Sequence, residues 1–472
     1  MDWHPVLART FTSAEHVIIV YVGVINTIYL LLMALSYFAF RFQPGRLTRT
    51  ESDTVLRSPL VPAISLIAPA YNERATIRES VRAMLNLQYP KHEVIVVNDG
   101  STDDTLQILI EEFHLYKSSR TPSGTIPTAA IRTIYEATTP IRLVVIDKAN
   151  GGGKADALNA ALNVARTPLV AALDSDSLIE GDALLSVVKP FLEDPHTLAA
   201  GGIIRVANGC AIEYGRVTGV AAPASSLPRF QVVEYLRAFL HGRTAFSFFN
   251  SMLLISGAFG VFRRDALLNI GGYDTTTVGE DMEIVIRLHR RWRERREPYR
   301  IVFVPYPVCW TQVPDSWKSL QIQRNRWQRG SVESLWRHRT MFGNPRFGVV
   351  GLLGFPYFVL VEMVAPIVEA IGYGVMILGL LLRLMSVELA LLFLTVSVLF
   401  GILISVSAVL LEDFTARRYR SVRDIVWLMW AAVVENLGFR QVLTIWRAQG
   451  LMDGIRGKTG WGTVERRGFR PA

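Results

Sequence analysis

Pro168-Leu169-Val170-Ala171-Ala172-Leu173-Asp174-Ser175-Asp176 is the stretch on which the reading of this chain turns. An apolar run ends in two carboxylates one residue apart, the pattern of a buried strand with a polar tip. Two such carboxylates can grip a divalent cation from one side, and a cation there can neutralise a diphosphate leaving group. Asp-x-Asp is equally a common solvated turn between strand and helix, so its surroundings must decide.

Working outward, residues Ile64–Ala70, 93–98, 141–147 and Leu169–Leu173 are four short apolar runs. A helical pattern follows each, through Leu87 and over residues 102–113, 154–165 and 181–192. Strands alternating with helices predict a mostly parallel α/β sheet that binds ligands at the carboxyl ends of its strands. Tyr71-Asn72-Glu73, Asp99-Gly100-Ser101 and Asp174-Ser175-Asp176 fall at those ends. Residues 117–140, rich in Ser, Thr and Pro, read as a surface insertion.

Half of the 472 residues are hydrophobic, and the excess concentrates in residues 17–40 and 347–446. Residues 17–40 are uncharged and long enough to cross a bilayer, and too long for a cleavable signal peptide. Arg41, Arg46 and Arg49 follow this run while only Arg9 precedes it. The positive-inside rule then puts the N-terminus outside and the remainder in the cytosol. In the second block, residues 363–382 and 387–411 read as spans, with an interfacial helix before them. Residues 425–446 contain Glu435, Asn436 and Arg440, which are expensive in lipid and should face other helices or a polar path. Whether this segment crosses, and on which side the chain ends, stays open; the basic tail favours the cytosol. The expected plan is a segment 1–16, a transmembrane helix 17–40, a cytosolic domain 62–344 with interfacial helices, membrane helices 347–446 (about four spans in all) and a basic tail 447–472.

The net charge of +9 sits largely beside apolar segments, which points to lipid headgroups rather than nucleic acid. Cys210 and Cys309 are the only cysteines and indicate neither a disulfide nor a zinc site. His289 and His338 lie among arginines and read as solvated.

Three further motifs complete the set. Gly151-Gly152-Gly153-Lys154 opens a helix, where backbone N–H groups and an ammonium suit phosphate. Glu280-Asp281 opens another, and Gln323-Arg324-Asn325-Arg326-Trp327 precedes the membrane block. Taken in order, the motifs resemble the processive family 2 glycosyltransferases, the membrane synthases of cellulose, chitin, hyaluronan and poly-N-acetylglucosamine. The resemblance runs from about Ile64 to Gly330 and includes the flanking membrane layout.

It implies a GT-A-type, mostly parallel nucleotide-sugar sheet fused to a helical membrane region of the inner (plasma) membrane, and an inverting enzyme that uses a UDP-sugar. Tyr71, Glu73 and Asp99 would hold the uridine and ribose, and Lys154 the phosphates. Asp176 would ligate Mg2+ or Mn2+, with Asp174 sharing the cation or touching the nucleotide. Asp281 would be the general base, supported by Glu280; many relatives have Thr where this chain has Gly279. Gln323, Arg326 and Trp327 would bind diphosphate and sugar, and Ser256, Gly257 and Ala258 would shape the acceptor pocket. Glu369, Glu435 and Asn436 would either line an outward path for a β-linked polysaccharide or hydrogen-bond between helices, and accessory export proteins would have room. UDP-N-acetylglucosamine is favoured over UDP-glucose. The rival readings are transfer of one sugar to a lipid acceptor, and a membrane scaffold with a vestigial sugar-nucleotide domain.

Overall fold

The structure, a computed structural model, describes residues 4–42, 56, 58–213, 215–458 and 460. Arg46, Arg49 and nearly all of the tail beyond Lys458 lie outside the described residues.

Among the described residues twelve strands are formed: β1 Ile64–Ala70, β2 His92–Asp99, β3 Tyr116–Lys117, β4 Ile131–Glu136, β5 Leu143–Lys148, β6 Leu169–Leu173, β7 Leu178–Ile179, β8 Thr197–Val206, β9 Ala211–Glu213, β10 Arg216–Gly219, β11 Phe259–Arg263 and β12 Arg300–Thr311. Ten of them build one sheet in the order β3-β4-β5-β2-β1-β6-β11-β8-β12-β7, and β9 pairs with β10 apart. The β5-β2-β1-β6 core is parallel, as the alternation predicts. Strand β11 enters antiparallel to both β6 and β8, which makes the sheet mixed. The central strands are buried along almost their whole length because helices cover both faces.

Residues 117–140 are more than a surface insertion. Ile131–Glu136 pairs with β5, and Tyr116–Lys117 pairs with it in turn, extending the sheet edge. Ile134 is buried there while its neighbours Thr133 and Tyr135 are not, and that alternation supports an edge strand.

Three described helical stretches are long and apolar enough to cross a membrane: Arg9–Phe40, Val350–Leu381 and Val387–Thr415. The first lies in the helix His4–Phe42, which starts well before the expected residue 17. The second is one continuous helical path rather than an interfacial helix followed by a span. Wide π-helical turns at Val350–Gly354 and Phe358–Val364 carry it onward to Pro366. Residues 425–446 do not form one helix. Val422–Val434 and Phe439–Ile455 are separate helices, broken at Gly438, whose φ of +123° no other residue type adopts readily.

Ion pairs, the first of them fully buried, fasten the sheet and its flanking segments to these helices. Arg205 on β8 grips Glu412 through two bonds of 2.7 and 2.6 Å. Arg418, just past the same helix, grips Glu180 beside β7 through two of 2.7 Å. Arg237 pairs with Glu435 at 2.7 Å. Each pair joins groups distant in sequence, so the sheet and the long apolar helices form one packed unit.

Candidate active site

The tips of β2 and β5 meet over a buried lysine. Lys148, 0 % exposed, places Nζ 2.5 Å from Asp99 Oδ1 and 2.5 Å from Asp156 Oδ2. Asp99 Oδ1 also accepts from the Gly151 N–H at 3.1 Å. A buried cation between two carboxylates thus holds Asp99 and the glycine-rich loop in one frame. Nothing local in the sequence marks Lys148, a lysine at the end of an apolar run.

At the tip of β1, Asn72 Oδ1 accepts from the Thr102 N–H at 2.8 Å and the Asn72 N–H donates to Ser101 Oγ at 3.0 Å. These bonds tie the β1 tip to the β2 tip. Tyr71 stands open beside them at 52 % exposed. Glu73 is buried, and its carboxylate accepts from the Thr76 hydroxyl at 2.8 Å at the start of the helix Ile77–Leu85.

The decisive geometry joins β6, the helix Lys154–Val164 and the helix Glu280–Arg295. Lys154 Nζ donates to Asp174 Oδ1 at 2.5 Å and to the Gly257 carbonyl at 2.7 Å. The Gly257 N–H donates to Asp281 Oδ2 at 3.1 Å, and Asp281 Oδ1 accepts from the Met282 N–H at 2.9 Å. One peptide loop therefore links the strand-tip carboxylate to the carboxylate at the helix start. A Cβ on Gly257 would lie 3.3 Å from Lys154 Nζ, so a side chain there would crowd the ammonium. Ser256 and Ala258 flank that loop: the Ser256 carbonyl accepts from the Phe259 N–H at 3.1 Å, and the Ala258 carbonyl lies 3.6 Å from Cys309 Sγ.

The charges act on one another across this cluster. Burial and then the Asp174 charge push the Asp176 carboxyl well above the usual carboxylate range, against Lys154 and Arg326. Burial and then the Asp281 charge do the same to Glu280, again opposed by Lys154 and Arg326. Burial pulls Lys154 down, but Asp174, Glu280 and Asp281 outweigh it and leave the ammonium more basic than usual. Arg326 is thus near enough to act on both acidic pairs, which brings the helix Trp317–Arg337 to the site. Gln323 Oε1 is buried there without a hydrogen-bond partner. Trp327 is 42 % exposed, with the Arg324 guanidinium 4.2 Å over its ring and Tyr235 at 6.4 Å.

Among the described residues no group of three or more His, Cys, Asp or Glu side chains converges as a metal cage. Asp174 and Asp176 are a hard-oxygen pair whose mutual repulsion raises the cost of keeping both charged. That donor set fits Mg2+ or Mn2+ completed by substrate oxygens and water, and is a poor match for zinc.

A cavity of about 290 Å³ opens between residues 226–248, the helix His4–Phe42 and the path Val350–Leu381; Tyr29, Arg237, Arg243, Arg324, Tyr357 and Glu369 are among its walls. Of the three residues expected to line an outward path, Glu369 borders this cavity. Glu435 is instead held between helices by Arg237 and the Ser405 hydroxyl, while Asn436 donates to the Ala432 carbonyl one turn back and keeps a buried Oδ1 without a partner. His289 and His338 are buried rather than solvated. His289 lies between Tyr299 Oη and the Met252 carbonyl, and His338 lies 3.2 Å from Glu283.

Two family models match the chain: Glycosyl transferase family 2 over residues 65–271, and Glycosyl transferase family group 2 over residues 169–435, more than half of its length. A poly-beta-1,6-N-acetyl-D-glucosamine synthase of Staphylococcus epidermidis is 28 % identical over 312 residues, 66 % of this chain and 64 % of that protein. The synthase of the same description from Staphylococcus aureus (strain COL) is 28 % identical over 274 residues, 58 % of this chain and 56 % of that protein. The chain therefore spans less than two thirds of the length of these relatives. Among solved structures, the mannosyltransferase PcManGT from Pyrobaculum calidifontis, in complex with GDP-Man and Mn2+, superposes with a TM-score of 0.55 at 20 % identity. That match covers 92 % of this chain and 99 % of the other, and it shows a shared fold.

Proposed function

This chain belongs to glycosyl transferase family group 2, and from that premise we propose that it is an inverting synthase extending a β-linked polysaccharide from a UDP-sugar, with UDP-N-acetylglucosamine favoured. The observation that carries the reading is the continuous link Asp174–Lys154–Gly257–Asp281, which fixes a donor-side and an acceptor-side carboxylate against one lysine. The printed description of the Staphylococcus relatives supports the choice of sugar.

Asp281 takes the proton from an acceptor hydroxyl, and the Gly257 and Met282 N–H groups orient its two oxygens for that task. The acceptor oxygen forms a bond to the anomeric carbon as the bond from that carbon to the UDP oxygen breaks on the opposite face, which inverts the centre. Lys154 and Arg326 offset the charge gathering on the leaving diphosphate. Tyr71, Glu73 and Asp99 receive the uridine and ribose, with Asp99 prepositioned by Lys148. A divalent cation at Asp176 and Asp174 would supply further charge neutralisation to the departing phosphate. Trp327 offers a flat face to the sugar, and Ser256, Gly257 and Ala258 border the acceptor.

The catalytic sheet lies on the cytosolic side of a multi-pass membrane region in this reading, and the cavity beside Arg243 and Arg324 receives the growing chain for export. The purified protein in nanodiscs tests it. UDP release is measured with Mn2+ across UDP-N-acetylglucosamine, UDP-glucose and UDP-glucuronate, and products are sized. Donor-specific release with a long polymer is expected. A one-sugar lipid product would replace processive synthesis with single transfer, and no release with any donor would overturn the reading.

A further inference from the structure

Five arginines border the membrane-side cavity, and four of them have carboxylate partners. Arg237 meets Glu435 at 2.7 Å, Arg324 meets Glu234 at 2.9 Å, Arg447 meets Glu362 at 3.2 Å and Arg440 meets Glu369 at 3.6 Å. Arg243 is the exception among the described residues. Its guanidinium lies 3.7 Å over the Phe239 ring, a stacking that keeps its N–H edge free of that ring. The Asp281 charge nonetheless acts on it across the site, so Arg243 stands where the cavity meets the proposed base.

Two residues earlier, His241 borders the same cavity. It is only 4 % exposed, yet neither ring nitrogen has a hydrogen-bond partner. Burial, helped by the Arg237 charge, pushes its pKa down to about 4, so the ring is neutral and offers one donor and one acceptor. Both residues belong to the π-helical segment Arg237–Arg243, where the His241 carbonyl is held by the Ser36 hydroxyl at 2.5 Å. Wide turns of this kind recur at functional sites. In this cavity the His241 ring leaves two buried nitrogens without partners, as Asn26 Oδ1 and Arg324 Nε also are, and buried polar atoms without partners call for a ligand that supplies them.

We propose that His241 and Arg243 form an acceptor-side subsite that takes neutral or N-acylated saccharide and turns away a saccharide carrying free amines. The inference rests on the proposed synthase reading and deepens it. Sugar hydroxyls and an acyl carbonyl match a neutral imidazole and an unpaired guanidinium, which between them offer both donors and an acceptor. The charge argument sets the selectivity. Alone, Asp281 would present a negative field to the incoming chain and would welcome an ammonium. Arg243 reverses the sign on the acceptor side and repels it.

The test uses the full chain in nanodiscs and two fluorescently labelled probes, a β-1,6-linked N-acetylglucosamine pentamer and its fully de-N-acetylated counterpart. Binding is followed by anisotropy at pH 6.5 (roughly a unit below the amine pKa of an amino sugar), with UDP binding as the folding control. One like charge at close range in a partly wet site is expected to give the wild type roughly a tenfold preference for the acetylated probe. Arg243→Gln should bring the two probes within about twofold, and Arg243→Lys should keep the preference. Equal binding by the wild type, an unchanged preference in Arg243→Gln, or binding of neither probe would overturn the inference. Because binding needs no turnover, failure of the synthase reading shows separately, as absent UDP release.

Discussion

Gly279 and Gly330 touch backbone to backbone: a Cβ built on either would lie 2.7 Å from main-chain atoms of the other. Gly279 precedes the proposed base, and Gly330 follows Gln323, Arg326 and Trp327 on their helix. The Ser334 hydroxyl, one turn on, reaches the Gly279 carbonyl at 3.3 Å, and Glu333 holds the Val278 N–H at 3.0 Å. The helix proposed to face the diphosphate and the helix that carries the proposed base are thus set against each other with no side chain between them. The contact leaves no room for a side chain at position 279. Gly330→Ala should force the helices apart and lower kcat by about 10- to 100-fold, since displacements near 1 Å at a reacting centre have that effect. UDP affinity should change by less. A kcat within twofold of wild type would contradict the contact's role.

Lys148 supports the nucleotide end in the same way. Lys148→Met would leave Asp99 and Asp156 as buried carboxylates without their cation, at a cost of about 3–5 kcal/mol. Thermal melting should show the loss, and UDP binding should fall with it. Adding Asp99→Asn and Asp156→Asn should restore most of the melting temperature without restoring UDP affinity. Full UDP affinity in Lys148→Met would remove Lys148 from the site.

Arg205 and Glu412 test how the sheet is fastened to the membrane helices. Each is buried with the other as its partner, so Arg205→Met alone strands a carboxylate and should destabilise by about 3–5 kcal/mol. Arg205→Met with Glu412→Leu should recover much of that, because replacing a buried pair by apolar groups is often nearly neutral. If the double variant melts no higher than the single one, the pair contributes something beyond charge compensation.

His289 gives stability a defined dependence on pH. Its Nδ1 faces the Tyr299 hydroxyl at 2.8 Å and its Nε2 the Met252 carbonyl at 2.9 Å, an arrangement a neutral ring satisfies. Burial, together with the Arg293 charge, lowers its pKa from 6.5 to about 4. Between those values the unfolded chain binds a proton that the folded chain does not. This contribution is therefore present above pH 6.5 and declines as pH falls toward 4, by about 1.4 kcal/mol per unit. Melting curves from pH 4.5 to 7 should show that slope, and His289→Gln should flatten it. An unchanged slope in the variant would assign the dependence to other groups.

Much of this arrangement was legible in the sequence because period and punctuation carry it. Apolar runs ending in Glu73, Asp99 and Asp174 mark parallel strands whose tips share one edge, and the structure places them there. Strand direction leaves no such trace: Phe259–Arg263 is a short apolar run, and nothing local says that it enters antiparallel between β6 and β8. Hydropathy also averages over Gly438, so two helices read as one segment of residues 425–446. Lys148, His241 and Arg243 escaped notice for a shared reason. Burial and the presence or absence of a partner are properties of the folded chain, not of a residue and its neighbours in sequence. Gly279 was visible in the sequence, but its contact with Gly330, 51 positions away, shows only in the packing.

The central claim is that Asp281 deprotonates the acceptor, and the most direct measurement compares wild type with Asp281→Asn under saturating UDP-N-acetylglucosamine and Mn2+. Polymer formation should fall by about 10²- to 10⁴-fold, the usual worth of a general base, while UDP binding stays within a few-fold. Polymer synthesis within about tenfold of wild type would contradict the assignment of Asp281 as the base.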